Sequence, residues 1–234
     1  MIDRAGNPLG QGTLSSAFEV VEVQPIFQGA NPDVVFVVDV SGSANDGFGG
    51  TPIGDVNSDG RQNTILDGEI ASLLVLNQEL VSLGFGDVAN ISVIPFSGSA
   101  APRDMDPVTP GTQLTTTPNA DADGNAVRDV EQVLSSLRAG GSTDFDDALN
   151  AVISVFDQLG TPDGEGNVIF LSDGDSSSSI TSQVQTLRDR NVNLRAFGVG
   201  AGANLTRLTQ IDPDAVRVTS TDDFLDAILG LSQN

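Results

Sequence analysis

The apolar run Val34-Val35-Phe36-Val37-Val38, followed at once by Asp39-Val40-Ser41-Gly42-Ser43, constrains this chain more than any other stretch. Five β-branched or aromatic residues bounded by small polar ones read as a strand buried on both faces, the kind found in parallel sheets covered by helices. A carboxylate and two hydroxyls then stand at alternate positions where the strand ends. Oxygens at that spacing can close around one hard divalent cation. Hydroxyls are neutral, so one carboxylate and two of them leave much of the cation's charge uncompensated and open to a carboxylate from outside.

The rest of the chain alternates strand and helix patterns. Strands are expected at about 34–39, 91–96, 167–172, 194–199 and 216–219. The polar stretch Gln113-Leu114-Thr115-Thr116-Thr117 suits an exposed antiparallel edge strand. Helical spacing of apolar residues appears at about 64–83 (Ile65, Leu66, Ile70, Leu73, Leu74, Leu80), 127–138 (Val127, Val130, Val133, Leu134, Leu137) and 144–159 (Phe145, Ala148, Leu149, Val152, Ile153, Phe156). Shorter helices are expected near 179–190, 204–210 and 222–231. This alternation implies one α/β domain over 33–234, with helices on both faces of its sheet. Residues 1–32 read as a linker-like extension packing on that domain, with Phe18 to Val23 as a possible edge strand.

Two more segments bear on the strand-end oxygens. Gly140-Gly141-Ser142-Thr143-Asp144 precedes a helix, and Val168-Ile169-Phe170-Leu171-Ser172-Asp173-Gly174 is a second buried strand ending in an acid. With DxSxS first, a Gly-flanked Thr about 100 residues later and a strand-terminal Asp-Gly beyond it, the chain resembles the von Willebrand factor A domain from roughly Asp33 to Leu231. The resemblance implies a Rossmann-like doubly wound sheet of order 3-2-1-4-5-6, mostly parallel, with its third strand as an antiparallel edge. It also implies a metal-ion-dependent adhesion site made of Asp39, Ser41 and Ser43, with Thr143 as loop ligand and Asp173 often acting through water. Mg2+, Mn2+ or Ca2+ would fill that site. In open α/β sheets ligands bind beyond the carboxyl ends of the strands where strand order reverses, here between the strands ending at Asp39 and Asp173. The plainer alternative is that these are ordinary strand-end turn residues.

Asp55-Val56-Asn57-Ser58-Asp59-Gly60 repeats the opening of EF-hand and dockerin-type Ca2+ loops, in which alternate side chains converge on one ion and the glycine permits a sharp turn. The Arg61 carbonyl and Asn63 occupy the next ligand positions, and Asp67 stands one place past the usual closing acid. Asn119-Ala120-Asp121-Ala122-Asp123-Gly124-Asn125 has the same layout, with Glu131 at the matching offset. The first loop lies in an insertion from about 47 to 63, expected at the Asp39 end of the sheet; the second is expected at the opposite end in a structural role. Solvated Asp/Asn/Gly turns are the alternative for both. Asp163 to Asn167 also alternates acids, and there a flexible turn is the simpler reading.

Composition narrows the function. The formal net charge is -22, all ten basic residues are arginine, and lysine, histidine and cysteine are absent. So acidic a surface repels nucleic acid and anionic membranes and is relieved by divalent cations. Without histidine or cysteine there is no Ser-His-Asp triad, thiolate nucleophile or zinc-thiolate site, so an enzyme is not expected. No apolar run approaches a membrane span, and the first residues lack a signal-peptide core. Such composition with inserted calcium loops resembles the A-type modules of long bacterial repeats-in-toxin adhesins exported by type I secretion. That resemblance implies an extracellular, cell-surface, monomeric module within a longer chain, binding a carboxylate on a protein or other surface ligand through a cation. Alternatives are a Ca2+-stiffened spacer and a metal-chelatase-type subunit; low cytosolic calcium argues against the second.

Overall fold

A computed structural model describes residues 27–174 and 176–230. The strand considered at Phe18 to Val23 lies outside the described residues. Five strands, β1 (Asp33–Asp39), β2 (Asn90–Phe96), β3 (Gly166–Ser172), β4 (Asn193–Val199) and β5 (Val216–Val218), form one sheet of order β2-β1-β3-β4-β5. Every pairing in it is parallel. The helices are α1 (Ile65–Ser82), α2 (Asp129–Ser135), α3 (Phe145–Leu159), α4 (Thr181–Asp189), α5 (Leu205–Ile211) and α6 (Thr221–Leu229).

Strand periodicity divides the interior into two layers. Val34, Phe36 and Val38 of β1 point into a core with α1, α2 and α6. Val35 and Val37 point into the other, where Phe145, Leu149, Val152 and Phe156 of α3 meet residues of α4 and α5. Both faces of β1 are therefore dry, and all seven of its residues are buried. Phe27 is buried in the first core, and the Gln28 backbone N–H donates to the Asn167 side chain at 2.8 Å, so the residues just before β1 are docked on the domain.

Helix ends follow local chemistry. Thr64 and Asp67 form a reciprocal capping box at the start of α1. Asp144 caps α3, and Gly160 (φ 68°) ends it in the left-handed conformation open to glycine.

The expected six-strand order with an antiparallel edge is not what forms. Residues 113–117 contribute a single antiparallel bridge, Ile91 to Thr116, closed by N–H···O bonds of 2.8 and 3.0 Å. At the next outward position the Val93 carbonyl is taken by the Arg103 N–H at 2.8 Å. Outward position 95 is proline, which has no N–H to give. Two separate segments thus share the outer edge of β2, and a proline stops the ladder from propagating.

The insertion after β1 is stitched to the sheet's carboxyl end. Thr51 N–H donates to the Thr219 carbonyl, and Ala201 N–H to the Phe48 carbonyl, both at 2.9 Å. Phe48 is buried against α1 at Gly68, where an added Cβ would lie 2.7 Å from its ring. Most of the first half of α1 is consequently enclosed, including polar positions that would face water on an ordinary surface helix.

Candidate metal centre

Asp39, the last residue of β1, is 1% exposed, and both of its carboxylate oxygens are held. Oδ1 accepts the Ser41 backbone N–H at 2.8 Å, and Oδ2 accepts the Ser172 hydroxyl at 2.5 Å. Burial pushes the Asp39 carboxyl up to about 6; the Ser172 and Ser41 hydrogen bonds oppose this, and the negative charge of Asp173 adds to it. A short 3-10 turn over Gly42–Asn45 follows, and it brings the Ser41 and Ser43 hydroxyl oxygens to 3.0 Å from each other.

The loop carrying Thr143 is tied to the same place. Gly140 N–H donates to the Val40 carbonyl at 2.7 Å, Gly42 N–H to the Gly141 carbonyl at 2.9 Å, and Asp144 N–H to the Ser97 carbonyl at 2.7 Å. Asp173 directly follows β3, and its backbone carbonyl accepts the Asn204 N–H at 2.7 Å. Beside Thr143 an open depression of about 560 Å³ is lined by Ser142, Ser176, Ser177 and Arg207. Its polar walls and single guanidinium suit an anionic group better than an apolar one.

Ser172 and Glu69 do not stand out in the sequence. Ser172 lies in a buried strand, where a hydroxyl next to an acid is easily passed over, yet it binds Asp39 and also accepts the Gly174 N–H at 2.9 Å. Glu69 is fully buried on α1, and neither of its carboxylate oxygens has a hydrogen-bond partner. Burial holds its carboxyl well above the usual range, and the charges of Asp39 and Asp173 push it the same way. A signal existed: Glu69 lies four residues after Ile65, three after Leu66 and four before Leu73, inside the apolar stripe.

The two acidic loops share one backbone design. Asp55 accepts the N–H groups of Asp59 and Gly60, both at 3.0 Å; Asp121 accepts those of Asn125 at 3.1 Å and Ala126 at 2.9 Å. Asn57 and Asp123 each accept the N–H two residues on, at 3.2 and 3.1 Å, as do Asp59 and Asn125, at 2.8 and 2.7 Å. Left-handed residues fall at equivalent places, Ser58 and Gly60 (φ 56° and 90°) against Gly124 and Ala126 (φ 70° and 68°). In each loop the residue after the first acid donates its N–H to a buried helical acid: Val56 to Asp67 at 2.7 Å, Ala122 to Asp129 at 3.1 Å.

This equivalence corrects the register expected for the second loop, which starts at Asp121. Asn119 is not gathered into it; its side-chain amide donates to Asp87 at 3.1 Å. Glu131 instead pairs with Arg128 at 3.0 Å, and Asp129 takes the place at the helix start. In the first loop, Asp67 Oδ2 serves the Thr64 N–H and hydroxyl at 2.9 and 2.8 Å. Asn63 turns to the Ile53 and Gly54 N–H groups at 2.7 and 2.8 Å, and the Arg61 N–H donates to Asp59. The first loop lies toward the carboxyl end of the sheet, with Asn57 Nδ2 donating to the Leu137 carbonyl at 3.0 Å. The second lies beside the α1–β2 connection at the amino end, where Asn119 N–H donates to the Gly86 carbonyl at 3.0 Å. Asp163 sits 3.8 Å from Arg190 in a turn before β3.

The strand-end donor set fits a hard divalent cation. It offers only oxygen, as Mg2+, Mn2+ and Ca2+ prefer. Glu69, buried with neither oxygen in an ordinary hydrogen bond, would carry any negative charge without a protein cation to compensate it. Among the described residues no three acidic side chains gather closely enough to hold an ion by themselves, so an ion at this strand end would have to draw on hydroxyls such as those of Ser41 and Ser43.

The family model of the von Willebrand factor type A domain matches residues 33–232. No curated protein matches the chain. Among solved structures, the proximal thread matrix protein 1 of the mussel byssus is 18% identical with a TM-score of 0.58, covering 88% of this chain and 48% of that one. A form of that protein described as having a zinc-occupied MIDAS motif is 19% identical with a TM-score of 0.57, over 86% of this chain and 46% of that one. BatB from Bacteroides thetaiotaomicron is 16% identical with a TM-score of 0.56, covering 85% of this chain and 96% of that one. This chain thus spans about half the length of the mussel protein, and at these identities the likeness is one of fold.

Proposed function

The chain belongs to the von Willebrand factor type A family, and on that premise we propose that it is a divalent-cation-dependent binding module that captures an acidic group of a partner. The observation that carries this is the buried Asp39 carboxylate, with each oxygen fixed by a hydrogen bond, set beneath the Ser41 and Ser43 hydroxyls at the end of β1. Asp39, Ser41, Ser43 and Thr143 would hold the ion, and Asp173 would act directly or through water. The ion's contribution is Lewis acidity toward a partner carboxylate. Ser172 keeps Asp39 oriented, and the polar depression at Thr143, with the Arg207 guanidinium in its lining, would admit an anion. The zinc-occupied motif of the mussel relative supports a divalent ion here without fixing which one.

The finer reading is an adhesion domain of a large bacterial cell-surface protein, extracellular and exported by type I secretion. Asp55, Asn57 and Asp59, together with Asp121, Asp123 and Asn125, would bind Ca2+, and the insertion at 47–63 would wall the ligand site. The net charge of -22 supports a protein that works where divalent cations are abundant. Loops at both ends of the sheet also favour a second reading, a calcium-stiffened spacer with no external ligand.

Water relaxation enhancement by bound Mn2+ separates the two. In the binding module, glutarate should displace Mn2+-bound water and lower the enhancement in wild type, while Asp39→Ala loses the enhanced site. A wild-type enhancement indifferent to glutarate leaves the spacer.

A further inference from the structure

We propose that Glu69 is an outer carboxylate of the cation site, strengthening divalent binding from behind Asp39 without being a ligand itself. This rests on the cation reading of Asp39, Ser41 and Ser43. Glu69 is fully buried, neither oxygen has a partner in ordinary hydrogen-bond geometry, and the Asp39 backbone N–H is the one group that favours its charged form, a state that native proteins avoid unless something compensates the charge. Its neighbours on α1 are Ile65, Leu66, Ile70 and Leu73, all in the same apolar core, and Phe48 of the insertion closes over the adjacent Gly68.

No side chain supplies the compensation. The chain has neither lysine nor histidine, and the ion pairs among the described residues employ Arg128, Arg190 and Arg195, none of them with Glu69. The charges that act on Glu69 are the carboxylates of Asp39 and Asp173, both repulsive. The helix that carries Glu69, α1, packs on β1 and on the turn over Gly42–Asn45, and a divalent cation at that strand end has the opposite sign to Glu69, Asp39 and Asp173 alike. With no three acids close enough to coordinate one ion, Glu69 acts through the field of the dry interior, where charge is poorly screened.

The test compares wild type, Glu69→Gln, Glu69→Asp and Asp39→Ala by Mn2+ titration followed by electron paramagnetic resonance, with thermal melts in EDTA. The site in question is the one that Asp39→Ala removes. Glu69→Gln keeps the shape and deletes the charge; it should weaken that site by about tenfold or more, the range seen when groups behind metal ligands are lost. Its melting temperature in EDTA should equal or exceed that of wild type, because the amide cannot take on the charge that burial, Asp39 and Asp173 disfavour at this position. Glu69→Asp should retain more affinity than Glu69→Gln. Unchanged Mn2+ affinity in Glu69→Gln, or an Asp variant as weak as the Gln variant, overturns the assignment and leaves Glu69 a packing residue. Absence of any wild-type site sensitive to Asp39→Ala overturns the cation reading with it.

Discussion

The Ser172 hydroxyl donates to Asp39 Oδ2 at 2.5 Å, joining the last residue of β3 to the last residue of β1 under the proposed cation. Of the hydrogen bonds that oppose the burial of Asp39, it has the largest effect. Ser172→Ala should therefore move the Asp39 carboxyl above about 6 and weaken divalent binding by about 1.5–3 kcal/mol, the worth of a hydrogen bond to a charged group. Carboxyl-carbon NMR titration of the two proteins in EDTA, paired with calorimetry in Mn2+, checks both effects.

Stability without metal should fall as pH rises. Asp39 is raised from 3.8 to about 6 in the folded state, so between those values the native protein holds a proton that the unfolded chain has released. The penalty is absent below pH ~4 and complete above pH ~6, and a two-unit shift corresponds to about 3 kcal/mol. Urea unfolding in EDTA should show wild type losing stability from pH 4.5 to 7 by more than Asp39→Asn does. Saturating Mn2+ should offset that loss, since the cation competes with the proton.

Much of this was legible in the residues themselves. The run Val34 to Val38 reads as a doubly buried strand and forms one, Asp39 ends it, and Ser41, Ser43, Thr143 and Asp173 stand in the segments that follow strands or precede a helix, as expected. The antiparallel edge strand was not legible, because Gln113 to Thr117 has strand-like residues while the limit on pairing lies in Pro95 of the neighbouring strand. The start of the second loop at Asp121 was hidden by Ala126, whose left-handed φ of 68° is rare for alanine and invisible to a search for glycine. Glu69 was passed over because acids on helices usually face water, and its enclosure by Phe48 depends on contacts distant in sequence.

Phe48 ties the insertion to α1, so its removal should cost more than an insertion residue usually does. Phe48→Ala empties a site against Gly68 and Val199, with an expected loss of about 3–5 kcal/mol. Urea denaturation in EDTA measures it. A loss below about 1 kcal/mol would show that the insertion is only loosely seated.

Calcium should stabilise both loops independently. Asp55→Ala and Asp121→Ala each remove the acid that accepts two backbone N–H groups, and each should abolish part of the calcium-dependent rise in melting temperature. The double variant should show almost none of it. Melts of all four proteins with EDTA and with millimolar calcium decide the matter, and identical rises in wild type and double variant would assign the loops to ordinary turns.

The central claim is that the end of β1 holds a divalent cation, and anomalous diffraction from manganese-soaked crystals tests it most directly. Wild type should show an anomalous peak within coordination distance of both the Ser41 and the Ser43 hydroxyl oxygens, absent from Asp39→Ala crystals of intact fold. No peak at that position in wild type, or one that persists in Asp39→Ala, would contradict the account.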